Sequence, residues 1–163
     1  MSLSPGDPGS ASALGGALRT QAGRLADLVV ELDSAASRAT RAGVPDPSQR
    51  ERGLVSRAAT ELDRVGGLLQ SWTTTAVESA ARVRSLEPAL ARSDLVVEGQ
   101  LVVERSGPSR VEPAERLAER ERLQELLNRV TAVRSRELAR LRRELELSRA
   151  SLAALSDRSR SGT

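Results

Sequence analysis

The side chains whose types and spacing could do chemistry are arginines: Arg134, Arg136, Arg140, Arg142 and Arg143 crowd one short stretch near the C-terminal end. A guanidinium cluster of that density suits phosphate oxygens. Glu137, Glu144 and Glu146 lie among these arginines at helical pairing distances, as in Arg142 with Glu146, so a solvated, salt-bridged face outweighs an anion site. No aromatic residues interleave to stack on bases, and nucleic acid is disfavoured as a partner. The rest of the reactive inventory is thin. The chain has no His, Cys or Tyr, and its 25 basic residues are all Arg. A Ser or Thr nucleophile would have only a carboxylate as its base. The nitrogen and sulfur ligands that favour zinc are missing, and no Asp-rich loop has calcium-binding spacing. Gly15-Gly16 and Gly66-Gly67 lack the following Lys and the preceding strand of a phosphate loop. No enzymatic activity, cofactor or metal is expected.

Trp72 is the one aromatic residue. It is either a core residue of its own helix pair, the favoured reading, or an anchor for a partner helix, a role in which Trp is enriched. Thick globular cores are filled by aromatic and large aliphatic side chains. With no Phe or Tyr, Leu, Val and Ala are buried most efficiently along narrow seams between helices. The net charge of +3 is a small difference between many acids and many bases, so the surface is mixed rather than basic.

Residues 1–10, rich in Ser, Gly and Pro, read as a mobile tail. From about Ser10 a helix carries Leu18, Ala22, Leu25, Val29, Leu32, Ala36 and Ala39 at alternating spacings of four and three. Gly43 supplies its stop, and Val44-Pro45-Asp46-Pro47 a stiff linker. A second helix starts either at Ser48, which forms a capping box with Glu51, or at Asp46 with Pro47 in the first turn. Val55, Ala58, Leu62, Val65, Leu69, Trp72, Ala76, Ser79, Val83, Leu86 and Leu90 then keep the heptad register without a slip. Pro88 should kink or end this helix near Glu87.

Leu95 to Glu104 nearly repeats itself around Gly99. The segment 93–112 is read as a β-hairpin turning at Glu98-Gly99, or else as an apolar linker. A third helix opens at Pro113 and runs to Leu155, with 156–163 a polar tail. Its apolar line passes through Leu123, Leu126, Val130 and Val133, then shifts by one to Leu138, Leu141, Leu145, Leu152 and Leu155. That slip suits a nearly straight bundle helix rather than a tight supercoil.

The first residues form neither a basic nor an apolar region of a secretory signal, and no run approaches the ~18 apolar residues of a membrane span. The expected location is cytoplasmic.

A helical hairpin of this length, rich in small residues and bearing one Trp, resembles the Trp-x-Gly superfamily, the small helical substrates and partners of type VII secretion in Gram-positive bacteria. Ser4-Pro5-Gly6-Asp7-Pro8-Gly9 with Leu14-Gly15-Gly16-Ala17-Leu18 looks like actinobacterial proteins of that company. The resemblance covers residues 10–92. It implies helical pairing with a protein partner and export without a conventional signal peptide.

The expected fold is mainly α: an elongated three-helix bundle, with residues 11–92 an antiparallel helical hairpin and a short β-hairpin before the third helix. The expected function is non-catalytic interaction, as a type VII-associated partner or a homodimer, with Val55, Leu62, Val65, Leu69, Trp72, Val83 and Leu86 as the partner-binding residues. The alternatives are an anion-binding third helix, through the five arginines, and a cytoplasmic coiled-coil scaffold.

Overall fold

The computed structural model describes residues 7–42 and 48–161. Helix α1 (Pro8–Arg41) begins where Asp7 can cap it: the Asp7 carboxylate accepts from the Ser10 backbone N–H at 3.0 Å and from the Ser10 hydroxyl at 3.2 Å. Pro8 sits in the first turn, where its missing N–H costs nothing. The helix therefore starts slightly earlier than its apolar pattern suggests, because the capping residue and proline precede the first seam position. Its last turn carries Arg38 and Arg41, which suit the negative end of the helix dipole. The expected Gly43 stop and the 44–47 linker lie outside the described residues.

Helix α2 (Gln49–Arg84) starts directly after Ser48, the position a capping box requires. It ends at Arg84, short of the expected end near Glu87. The reason is Pro88. As a continuation of the helix, Pro88 would owe a hydrogen bond to the Arg84 carbonyl and would clash with it. The chain instead tightens, with the Leu86 N–H donating to the Val83 carbonyl at 3.0 Å, and restarts as the short helix α3 (Glu87–Arg92) with Pro88 in its first turn. The heptad from Val55 to Leu90 is thus unbroken in sequence but divided between two helices.

Asp94 follows α3 in the left-handed region, at φ 52°, the conformation that commonly ends a helix. Strands β1 (Leu95–Glu98) and β2 (Leu101–Glu104) pair antiparallel, Leu95 with Glu104 and Glu98 with Leu101. The hairpin reading is therefore the right one, and the linker reading falls. The turn residues are Gly99 and Gln100 rather than Glu98 and Gly99, with Gly99 at φ 64° in the first central position, where glycine suits a two-residue hairpin loop.

Helix α4 (Pro113–Arg160) extends beyond the expected Leu155, so most of the expected polar tail is helical. The Glu112 carboxylate caps it, accepting from the N–H groups of Ala114 at 2.8 Å and Glu115 at 3.2 Å. Its buried leucines are Leu123, Leu127 and Leu141, of which Leu123 is fully enclosed. Leu127 lies deeper than the expected Leu126, and Leu127, Leu141 and the buried Ser148 are separated by multiples of seven. The slip near Glu137 is a slip of apolar residues, not of the heptad itself.

The chain divides into two compact units. One comprises Met1–Thr73 and Arg140–Thr163, and so holds α1, most of α2 and the C-terminal part of α4. The other, Thr74–Ala139, holds the end of α2, α3, the β-hairpin and the first part of α4. The second unit has an aliphatic core of Leu90, Leu95, Val102, Leu123 and Leu127, with Val83, Leu86, Ala89, Val97 and Leu126 packed against it. Each fully buried leucine of this kind contributes about 1.5–3 kcal/mol. The fold is mainly α with one small antiparallel sheet between the long helices.

Candidate helix-docking surface

In the first unit, polar contacts fix how α1 and α2 meet. The Thr73 hydroxyl donates to the Pro8 carbonyl at 3.3 Å. Arg19 bonds Asp63 at 3.0 Å and Gln70 at 3.1 Å, and Arg52 pairs with Asp33 at 2.7 Å. Residue numbers rise along α1 as they fall along α2, so the pair is antiparallel. Between these contacts Gly15 and Gly66 face each other, both buried. Ala22 of α1 and Ala59 of α2 are buried as well. Small residues let two helices approach closely but bury little apolar area.

Larger apolar residues on the same helices are less well covered. Val55, Leu62, Val65 and Leu69, four of the candidate partner-binding residues, are only half-buried. Trp72 is 7% exposed, a core residue of its own chain rather than a free anchor. Val83 and Leu86 belong to the second unit and pack on its core, so they are not available to a partner.

Exposed large apolar residues are scattered on other elements, as Val77, Leu101, Leu117 and Leu147, whereas α1 alone carries four of them, Leu14, Leu28, Val30 and Leu32. Leu18 and Leu25 are half-buried, while Leu14 is 55%, Leu28 43% and Leu32 36% exposed. Leu14, Leu18, Gln21, Leu25, Leu28 and Leu32 alternate four and three apart, which places them on one stripe of the helix. This stripe runs beside the positions that meet α2. Leu32 was expected in the hairpin seam and lies on the exposed stripe instead. The sequence seam shares Leu18, Leu25 and Leu32 with this stripe but joins them to Ala22, Val29 and Ala36 on the side of α2, and Leu14 and Leu28 lie outside it.

Polar contacts join α2 and α4 in this unit. Arg64 bonds Glu61 at 2.7 Å, Glu144 at 2.7 Å and the Ser148 hydroxyl. Ser148 is only 2% exposed; nothing in its residue type marks it, though it lies seven residues after Leu141. The Glu61 carboxyl is held below the usual carboxylate value, chiefly by its hydrogen bond with Ser148 and also by Arg64. In the second unit, Arg122 similarly lowers Glu119. Both carboxyls move away from neutrality, the opposite of what a general acid or base working near pH 7 requires.

The five arginines of the alternative reading are all exposed, but they do not form one described surface. Arg134 and Arg136 fall in the second unit and Arg140, Arg142 and Arg143 in the first. Glu144 is drawn to Arg64, and Glu146 pairs with Arg149 at 3.2 Å rather than with Arg142. A concavity of about 720 Å³ in the second unit is lined by Arg92, Arg110, Arg122, Glu112, Glu115 and Glu119 among others, so opposite charges largely cancel across it. Among the described residues no group of three or more acidic side chains is placed to hold a metal ion, and no helix is long and apolar enough to cross a membrane. No family model matches the sequence, and no curated protein or solved structure matches it either.

Proposed function

We propose that this chain is a non-catalytic helical interaction protein, and that the outer stripe of α1 is where another helix docks. The observation that carries this reading is the heptad-spaced set Leu14, Leu28 and Leu32, exposed beside half-buried Leu18 and Leu25. Scattered surface leucines are ordinary, but leucines aligned on one stripe, here interrupted only by Gln21, are a feature of interaction sites. A partner helix laid along it would complete knobs-into-holes contacts that α2 leaves open. The resemblance to the Trp-x-Gly hairpins adds a context for such docking, that of the helical partners of type VII secretion.

The test is a photo-crosslinking amino acid placed at Leu28 or at Val30 in the producing cell. Val30 is the more exposed of the two, at 65% against 43%, and lies off the stripe. Docking gives a discrete polypeptide adduct from position 28 and none from position 30. No adduct from position 28, or equal adducts from both, contradicts it.

A further inference from the structure

The docking reading leaves open what occupies the stripe, and charge on α1 answers that question. Arg24 and Glu31 are both exposed and seven residues apart. Arg24 lies nine residues after Gly15, half a turn round the helix from the contact with α2. The pair therefore flanks the leucine stripe on its outer side, in the positions that select partners in coiled coils. The inner flank consists of Gly15, Ala22, Val29 and Ala36, which are uncharged and buried or half-buried.

Resting on the docking reading, we propose that the occupant is a second copy of this chain, with the two α1 helices antiparallel about a two-fold axis. In that arrangement Leu25 of each copy meets Leu28 of the other, and Gln21 meets Leu32. The same register brings Arg24 to within two residues, about 3 Å along the axis, of Glu31 of the second copy, and Glu31 as near to its Arg24, a gap these long side chains span. One register thus stacks Leu25 on Leu28 and pairs the flanking charges, each twice over, as a two-fold interface requires; the Gln21–Leu32 layers are mixed. Parallel self-pairing fails this test, because each outer-flank charge would face the uncharged inner flank of the other copy. Leu14 and Leu18 fall opposite Ala39 and Ala35 of the second copy, alternating large with small residues at both ends of the contact.

The test is analytical ultracentrifugation of the purified full chain across the micromolar range. Wild type sediments as a dimer, and Leu28→Glu as a monomer of unchanged helicity. Arg24→Glu alone and Glu31→Arg alone each place like charges together at two symmetric points and weaken the dimer about tenfold. The double variant Arg24→Glu/Glu31→Arg restores the attraction with reversed signs and returns the dissociation constant close to that of wild type. A defect of folding in either single variant would not be cured in this way. A monomeric wild type, a dimer indifferent to Leu28→Glu, or a double variant weaker than both singles overturns the proposal. A monomeric wild type whose position-28 crosslink captures a different polypeptide would remove the second copy and leave docking standing; a monomer with no adduct would remove both.

Discussion

Gly15 and Gly66 meet backbone to backbone. A Cβ on Gly15 would stand 2.9 Å from the Gly66 carbonyl oxygen, and one on Gly66 would stand 2.7 Å from the Gly15 carbonyl oxygen and closer still to the Cγ of Arg19. Backbone atoms cannot swing aside as a flexible side chain can, so a methyl group at either place forces α1 and α2 apart. This contact sets the spacing of the hairpin and turns the leucine stripe of α1 to the side of the seam.

Neighbouring glycines provide the control. A Cβ at Gly16, Gly23 or Gly67 would meet nothing within 4 Å. Gly66→Ala is expected to destabilise the chain by about 1–2 kcal/mol, overpacking outweighing the gain in helix propensity. Gly67→Ala and Gly23→Ala should each stabilise it by about 0.5–1 kcal/mol. Urea denaturation of the three variants checks the contrast; equal effects at positions 66 and 67 would mean that the helices do not touch there.

Glu61 makes stability depend on acid. Its carboxyl is held lower in the folded chain than when unfolded, chiefly by Ser148 and also by Arg64. Between the two values the unfolded chain binds more protons, so stability rises with pH across that window. The contribution is complete above the ordinary carboxylate value and disappears as pH falls through the folded one. Ser148→Ala should raise the Glu61 value towards normal and flatten the loss of stability on acidification. Denaturation midpoints measured from neutrality into the acid range decide it; an unchanged slope would remove Ser148 from this role.

In the second unit, Gln124 stands in for a missing strand. Its side-chain amide accepts from the Val102 N–H at 2.7 Å and donates to the Gln100 carbonyl at 3.0 Å, closing the outer edge of β2. Gln124→Ala leaves the N–H of buried Val102 without that acceptor, at a cost of about 1–3 kcal/mol. Amide exchange at Val102 should quicken markedly while that at Ala22 is unchanged. Equal protection of Val102 in both proteins would mean that the edge is held by something else.

Asp94 holds a left-handed conformation, at φ 52°, while its carboxylate accepts from the Ser109 hydroxyl at 2.6 Å and its carbonyl from the Arg105 N–H at 2.8 Å. Asn tolerates this backbone and β-branched residues do not. Asp94→Asn should therefore be mild, and Asp94→Val should cost at least the ~1–2 kcal/mol of a left-handed residue. Thermal melts of the two variants give the comparison, and equal losses would contradict the backbone argument.

The helices and the hairpin were legible because each is written locally. Heptad spacing marks α1 and α2, Pro113 opens α4, and the near-repeat around Gly99 marks two strands and a turn. What was not legible depends on three dimensions. Pro88 announces a break, but the point of breakage, Arg84, follows from the hydrogen bond that proline cannot make. Val83, Leu86 and Trp72 share one register with Leu62 and Leu69, and only the fold separates those in a core from those left half-covered. Ser148 and Gln124 look like surface polar residues until Arg64 and the edge of β2 are brought to them. Leu18, Leu25 and Leu32 of α1 are visible in the sequence as part of a seam, but which of the α1 leucines stay exposed emerges only when Gly15 settles against Gly66.

Hydroxyl-radical footprinting of α1 tests most directly whether its leucine stripe is covered when the protein works. Leu14, Leu28 and Leu32 should be protected from oxidation in intact producing cells and reactive in the dilute purified chain, while Val30, exposed but off the stripe, reacts in both. Oxidation of Leu28 in cells as rapid as that of Val30 would contradict helix docking on this face.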